Sequence, residues 1–244
     1  MIFALVKDLA KLVLIGALMW LFLRGYVRWK KPQLADAVGR HRLFISLILG
    51  AIIVGIDVSE DALSGDSGPV DKAILLFLRS HVPSGFKGFF EAATMTGSFG
   101  FLITVVAITV LVFLLLKKWF EALLLAGSSI CGALLIYVLK SLTDRSRPAL
   151  WETGWYWGTS FPSGHTLETA CFATALTLCV SRTWPRNAWM IRIAALGWVI
   201  LVGSSRLVLG VHWPTDVLAA ACIGMLLALS VQFVLLFWLK PKRD

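Results

Sequence analysis

The sequence predicts an all-α fold, a polytopic bundle of transmembrane helices, on three observations. Of its 244 residues, 58% are hydrophobic and only 15% are charged, with a mean hydropathy of +0.82. A soluble domain carries about a quarter charged residues. Several apolar runs approach or exceed the roughly 18–20 residues that a helix needs to cross a bilayer. The loops between them are too short to build a separate soluble domain. A net charge of +9 would suggest nucleic acid in a soluble protein. Here the cations sit between apolar runs, where topology accounts for them, and no nucleic-acid partner is expected.

Apolar segments run at about 9–27, 42–58, 97–116, 119–140, 164–181, 189–209 and 214–239, giving six core helices plus an extra N-terminal membrane segment. That first segment follows Lys7, Asp8 and Lys11 and precedes Arg24, Arg28, Lys30 and Lys31, with no small-residue cleavage site. The pattern is that of a retained anchor; an amphipathic helix lying in the interface is the alternative. Residues 1–41 are therefore read as an N-terminal membrane segment with a basic cytoplasmic loop, 42–239 as the main transmembrane domain, and 240–244 as a basic cytoplasmic tail. Between the second and third segments lies an amphipathic stretch near 70–95. Its Ile74, Phe77 and Leu78 fit a helix along the outer membrane surface, or equally a short helix covering the bundle. Cys131, Cys171, Cys179 and Cys222 all fall inside apolar runs without a CxxC pair and read as buried small hydrophobes.

Lys and Arg set the orientation. One set of loops holds Arg24, Arg28, Lys30, Lys31, Arg40, Arg42, Lys117, Lys118, Arg182, Arg186, Arg192, Lys240, Lys242 and Arg243. The opposite set holds only Lys72, Arg79, Lys87, Lys140, Arg145, Arg147 and Arg206. The richer set is expected in the cytoplasm, so the loops at 141–163 and 206–214 face outward together.

Those two outward loops hold the polar residues that composition does not explain. The first runs from Lys140 through Asp144, Arg145 and Arg147 to Pro148, followed by Pro162-Ser163-Gly164-His165; the second holds Ser205-Arg206, then His212 and Asp216. Lys140, Arg147 and Arg206 are cations at the membrane edge, costly unless they meet anions or water. Converging, they suit a multiply charged oxyanion, since a guanidinium can grip two phosphate oxygens. Ser163-Gly164 opens an apolar helix and offers its free N–H groups to an anion. With a helix beginning near Trp213 and Pro214 in its first turn, Asp216 can reach back to the His212 ring and fix its tautomer. His165 is then a second imidazole beside the same phosphate, free to act as general acid. Two imidazoles in a cationic cradle suit phosphoryl transfer through a phosphohistidine. Taken singly, an outward His reads as a solvated loop residue and an Arg at a helix end as a snorkelling one; the joint pattern carries the assignment.

The segments Lys140–Pro148, Pro162–His165 and Ser205-Arg206 with His212 and Asp216 resemble, in order and spacing, the three-part signature of the type-2 phosphatidic acid phosphatase superfamily. That superfamily also includes glucose-6-phosphatase and the vanadium haloperoxidases. The resemblance implies that Lys140, Arg147 and Arg206 bind phosphate and that Ser163 and the Gly164 backbone complete the cradle. It further implies that His165 protonates the leaving oxygen, His212 is the nucleophile and Asp216 orients it. No metal and no cofactor are implied. Its bacterial lipid enzymes usually have six transmembrane helices, so the N-terminal segment is an addition.

The expected activity is that of an integral membrane lipid phosphate phosphatase in a bacterial inner membrane, its site facing the periplasm. Similar proteins act on undecaprenyl diphosphate, phosphatidylglycerophosphate, phosphatidate or lipid A phosphates. Arg145 is a candidate substrate contact that could serve a second phosphate, with pairing to Asp144 as the even alternative; the expectation leans to undecaprenyl diphosphate or a broad lipid phosphatase. Glu168, on nearly the same helix face as His165, is read as a partner of a cradle cation or a tuner of His165. Trp151, Trp155, Tyr156, Trp157 and Phe161 read as interfacial anchors, with lining of the lipid path as the sharper alternative. A lipid phosphotransferase or lipid A phosphatase using the same site is the enzyme alternative, and an anion transporter the non-enzyme one; the latter is disfavoured because no internal repeat is visible.

Overall fold

The computed structural model describes residues 2–153 and 157–239. Trp155, Tyr156 and the basic tail at 240–244 lie outside the described residues. The helices are α1 (Ile2–Lys30), α2 (Ala35–Arg40), α3 (Arg42–Ser64), α4 (Gly68–His81), α5 (Lys87–Met95), α6 (Phe99–Leu115), α7 (Trp119–Leu142), α8 (Gly164–Thr183), α9 (Ala188–Val208) and α10 (Pro214–Trp238), with no strand among the described residues.

Residues 10–30 of α1 and the whole of α3, α7, α9 and α10 are long and apolar enough to cross a membrane. α6 joins them when counted with α5, against which it is bent by 46°. α8 is less apolar, for a reason its position supplies. It runs through the middle of the bundle, packed by α7, α9 and α10, and its buried residues cover every side. Shielded from lipid, α8 can carry Thr166, Glu168 and Thr169. Its small residues let the neighbours approach closely. At Gly224 of α10 a Cβ would run into the carbonyl oxygen of Leu167.

One apolar core joins α6, α7, α8 and α10 through Leu102, Phe113, Leu124, Leu125, Phe172 and Ala228. A smaller one joins Val58 and Ala62 of α3, Ala219 of α10 and Phe161. Phe161 is thus a core residue and not an interfacial anchor. α1 packs against α3 and leaves Val13, Leu14, Leu18, Leu21 and Phe22 exposed, as a lipid-facing helix would.

The outer amphipathic stretch is two helices, α4 and α5, separated by a 3-10 turn at Ser84–Phe86. α4 turns Asp71 and Leu75 inward, while Ile74 and Phe77 stay exposed. It packs on α9 and α10, so its inner edge covers the bundle while Ile74 and Phe77 are left facing outward.

Candidate active site

The ends of α7, α8, α9 and α10 gather the polar residues. α7 delivers Lys140 in its last turn. α8 begins at Gly164 with Ser163 as its N-cap, and the Ser163 hydroxyl bonds that of Thr166 at 3.0 Å. α9 delivers Arg206 in its last turn. α10 starts at Pro214, which fits the first turn because its missing N–H would be unpaired there. Asp216 reaches back over that turn, accepting from the Trp213 N–H at 2.9 Å.

Lys140, Arg147, Gly164, His165, Arg206 and His212 line one cavity of about 430 Å³. The structure therefore brings both imidazoles and the three expected cations to one place. Lys140 is buried, with Nζ donating to the Thr159 carbonyl. Gly158, at φ 72°, bends the loop over it in a conformation that favours glycine. Arg206 is 1% exposed, and its Nη1 donates to Thr94 Oγ1 at 2.5 Å. Arg147 donates to the carbonyls of Trp157, Gly158 and Val211 and to His212 Nε2 at 3.2 Å. A guanidinium only donates, so Nε2 is the accepting nitrogen and the ring proton is on Nδ1. Nδ1 faces Asp216 Oδ2 at 3.6 Å, longer than a hydrogen bond but close enough to orient the ring. Burial, with Arg206 and Arg147 adding to it against the pull of Asp216, holds the His212 imidazole down at about 4. The ring is therefore neutral at ordinary pH.

Asp216 is itself fully buried and fastened on several sides. It accepts from Ser160 Oγ at 2.5 Å and from Arg145 Nη1 at 2.5 Å. Arg145 was the candidate contact for a second phosphate, or a partner of Asp144, and its geometry corrects both readings. It does not line the cavity. Its other nitrogen donates to Asp71 Oδ2 at 2.7 Å, and Asp71 also accepts from Thr215. The guanidinium bridges two buried carboxylates, away from the cavity.

The opposite wall of the cavity is apolar: Phe99 and Leu102 of α6, and Ala133, Ile136 and Tyr137 of α7. Phe99 and Tyr137 are exposed on the outside of the bundle. Trp157 stacks on Tyr137 with ring centroids 6.4 Å apart and also lines the cavity. Glu168 lines it too, yet has no ion pair with a cradle cation among the described residues. Among the described residues no group of three or more His, Cys, Asp or Glu is arranged to hold a metal ion.

Sequence reasoning missed Asp71, Thr94 and Ser160 as supports of the site. Asp71 and Thr94 sit in the surface helices α4 and α5, outside every motif. Only their burial marks them, at 1% and 8% exposed.

Residues 121–240 match the sequence model of the PAP2 superfamily. Phosphatidylglycerophosphatase B of Bacillus subtilis (strain 168) is 28% identical over 191 residues, 77% of this chain and 92% of that protein. Phosphatidylglycerophosphatase B of Escherichia coli (strain K12) is 42% identical over 67 residues, 28% of this chain but only 25% of that protein. The crystal structure of a transmembrane PAP2-type phosphatidylglycerolphosphate phosphatase from Bacillus subtilis superposes with a TM-score of 0.68 at 28% identity, over 82% of this chain and 98% of that one.

Proposed function

We propose that this chain, whose residues 121–240 match the PAP2 superfamily and whose fold superposes on a PAP2-type phosphatase, is a metal-independent membrane phosphatase of that superfamily that hydrolyses a lipid phosphate through a phosphohistidine on His212. One observation carries the reading: a single cavity joins two imidazoles and three cations to an apolar wall whose Phe99 and Tyr137 are exposed on the outside of the helix bundle. A phosphate with a hydrocarbon tail fits that division, head in the cradle and tail between α6 and α7.

In this mechanism Lys140, Arg147 and Arg206 take the phosphate oxygens, with the Gly164 N–H and Ser163 at the helix start beside them. Phosphate replaces His212 Nε2 as an acceptor for Arg147, which frees Nε2 to attack phosphorus. His165 takes the proton that the substrate brings as a phosphate monoanion; the N–P bond forms as the ester P–O bond breaks, and the leaving oxygen takes that proton from His165. Asp216 stabilises the proton kept on Nδ1. Water then attacks the phosphohistidine and gives its proton to His165; inorganic phosphate leaves and both imidazoles return to their starting states. By the charge rule the site faces outward from a bacterial inner membrane, residues 42–239 forming the catalytic domain and 1–41 an added anchor.

Trapping the intermediate tests the reading. Purified protein given a radiolabelled lipid phosphate and quenched in base should carry acid-labile label, and His212→Ala should carry none. Label that persists undiminished in His212→Ala would overturn the assignment.

A further inference from the structure

Glu168 lines the cavity but takes no part in the mechanism just described. It lies on α8 three residues beyond His165, 8% exposed. Its carboxyl rests against α7 at Gly132, where a Cβ would collide with Oε2. Oε2 is buried, and the one polar side chain beside the carboxyl is the hydroxyl of Ser129 on α7, with which it forms no close hydrogen bond. Leu102, Ala133 and Ile136 line the same cavity with apolar walls.

Burying a carboxyl beside no more than one serine hydroxyl is costly, and native proteins tolerate it where the group has work to do. Packing does not explain this one. The residue facing it is a glycine, and an apolar side chain would suit those walls better. A helix rises about 1.5 Å per residue, so Glu168 stands roughly 4.5 Å further along α8 than His165. His165 is the proton donor to the leaving oxygen in the proposed reaction, so the atoms of the leaving group next to that oxygen pass Glu168.

We infer that Glu168 is a specificity-determining residue, selecting lipid phosphates whose leaving group carries a hydroxyl close to the ester oxygen, as glycerol-type phosphate esters do. A hydroxyl both donates and accepts, so it satisfies a carboxyl in either protonation state. A polyprenyl chain offers it nothing. A site built to bond a hydroxyl rejects an analogue lacking one, because its own buried polar group is then left unpaired. The inference rests on the phosphatase reading above.

The test compares phosphate release from 1-acyl-glycerol-3-phosphate and from its 2-deoxy counterpart, using the full chain in mixed micelles, with phosphatidate as a third substrate. The wild type should favour the hydroxylated ester by about tenfold or more in kcat/KM, the size of one buried hydrogen bond. Glu168→Leu should bring the ratio close to one, and Glu168→Gln, which keeps a donor and an acceptor, should retain most of the preference. Should the leucine variant fail to fold, Glu168→Ala reads the same ratio without added bulk. A wild type that does not discriminate, a ratio that survives removal of the carboxyl, or release from phosphatidate alone overturns the role of Glu168. No release from any of the three overturns the phosphatase reading instead.

Discussion

Arg145 Nη1 meets Asp216 Oδ1 at 2.5 Å while its Nη2 holds Asp71 Oδ2 at 2.7 Å. The guanidinium therefore ties α4 to the start of α10, and Asp216 is the carboxylate behind the His212 ring. Removing it leaves two buried carboxylates uncompensated, so Arg145→Ala should lose about 3–5 kcal/mol of stability, as for other broken buried pairs. Because Arg145 does not line the cavity, the variant should slow lipid monophosphates and diphosphates by the same factor. Thermal unfolding in detergent and paired kcat/KM values check both parts; a loss confined to diphosphates would restore Arg145 as a substrate contact.

Thr94 positions Arg206 from α5, its Oγ1 accepting from Nη1 at 2.5 Å. Thr94→Val keeps the shape and removes the acceptor. A hydrogen bond to a charged group is worth about 1.5–3 kcal/mol, so kcat/KM should fall by about tenfold or somewhat more, and Thr94→Ser should recover much of it. Kinetics on all three proteins decide the point. Equal activity in Thr94→Val would mean that the phosphate aligns Arg206 without help.

The contrast between Arg206 and Thr94 shows what a sequence can disclose. Arg206 stands in a spaced motif with His212 and Asp216, and the chemistry of that pattern is readable without coordinates. Thr94 is an ordinary residue in an amphipathic stretch, 112 positions away from its partner. Its role exists only once α5 packs on α9. Arg145 is the sharper lesson. The local order Asp144-Arg145 suggested a neighbour pair, whereas the register of α4 against α10 supplied Asp71, 74 positions distant, and Asp216. The helices themselves were legible because apolar run length is a local property, and among the described residues an all-α bundle with five helices long and apolar enough to cross a membrane is the arrangement found. The central place of α8 was not, since its length marks a span while only its neighbours reveal that lipid never touches it.

The crossing of α8 and α10 depends on Gly224. A Cβ there would collide with the Leu167 carbonyl and sit 3.0 Å from the Cys171 nitrogen and 3.1 Å from the Ala170 Cβ. Backbone cannot step aside as a flexible side chain can, so the helices must separate. Gly224→Ala should destabilise by about 1–3 kcal/mol, the usual range for overpacking, and Gly224→Val by more. His165 rides on α8 and the His212–Asp216 pair on α10, so the same separation should lower kcat. Unfolding temperature and turnover should decline together across Gly, Ala and Val; an unchanged alanine variant would show that the crossing is looser than the close approach at Leu167 implies.

Protonation of His212 supplies the last test. Burial puts its folded-state pKa at about 4, below the ordinary imidazole value of 6.5. Between those values the unfolded chain binds a proton that the folded one refuses, so this residue's contribution to stability falls as pH drops from about 6.5 to about 4 and is intact above that window. His212→Gln cannot titrate and should make that part of the stability–pH curve shallower. Activity should follow the same residue on a different scale: kcat/KM reports the free enzyme, so the nucleophile should be lost only as pH falls through about 4. The stability curve is the cleaner measurement because the second ionisation of a phosphomonoester does not enter it. Wild-type and His212→Gln curves of equal slope across the window would mean that the ring is solvated and titrates normally, and the neutral buried nucleophile would have to be abandoned.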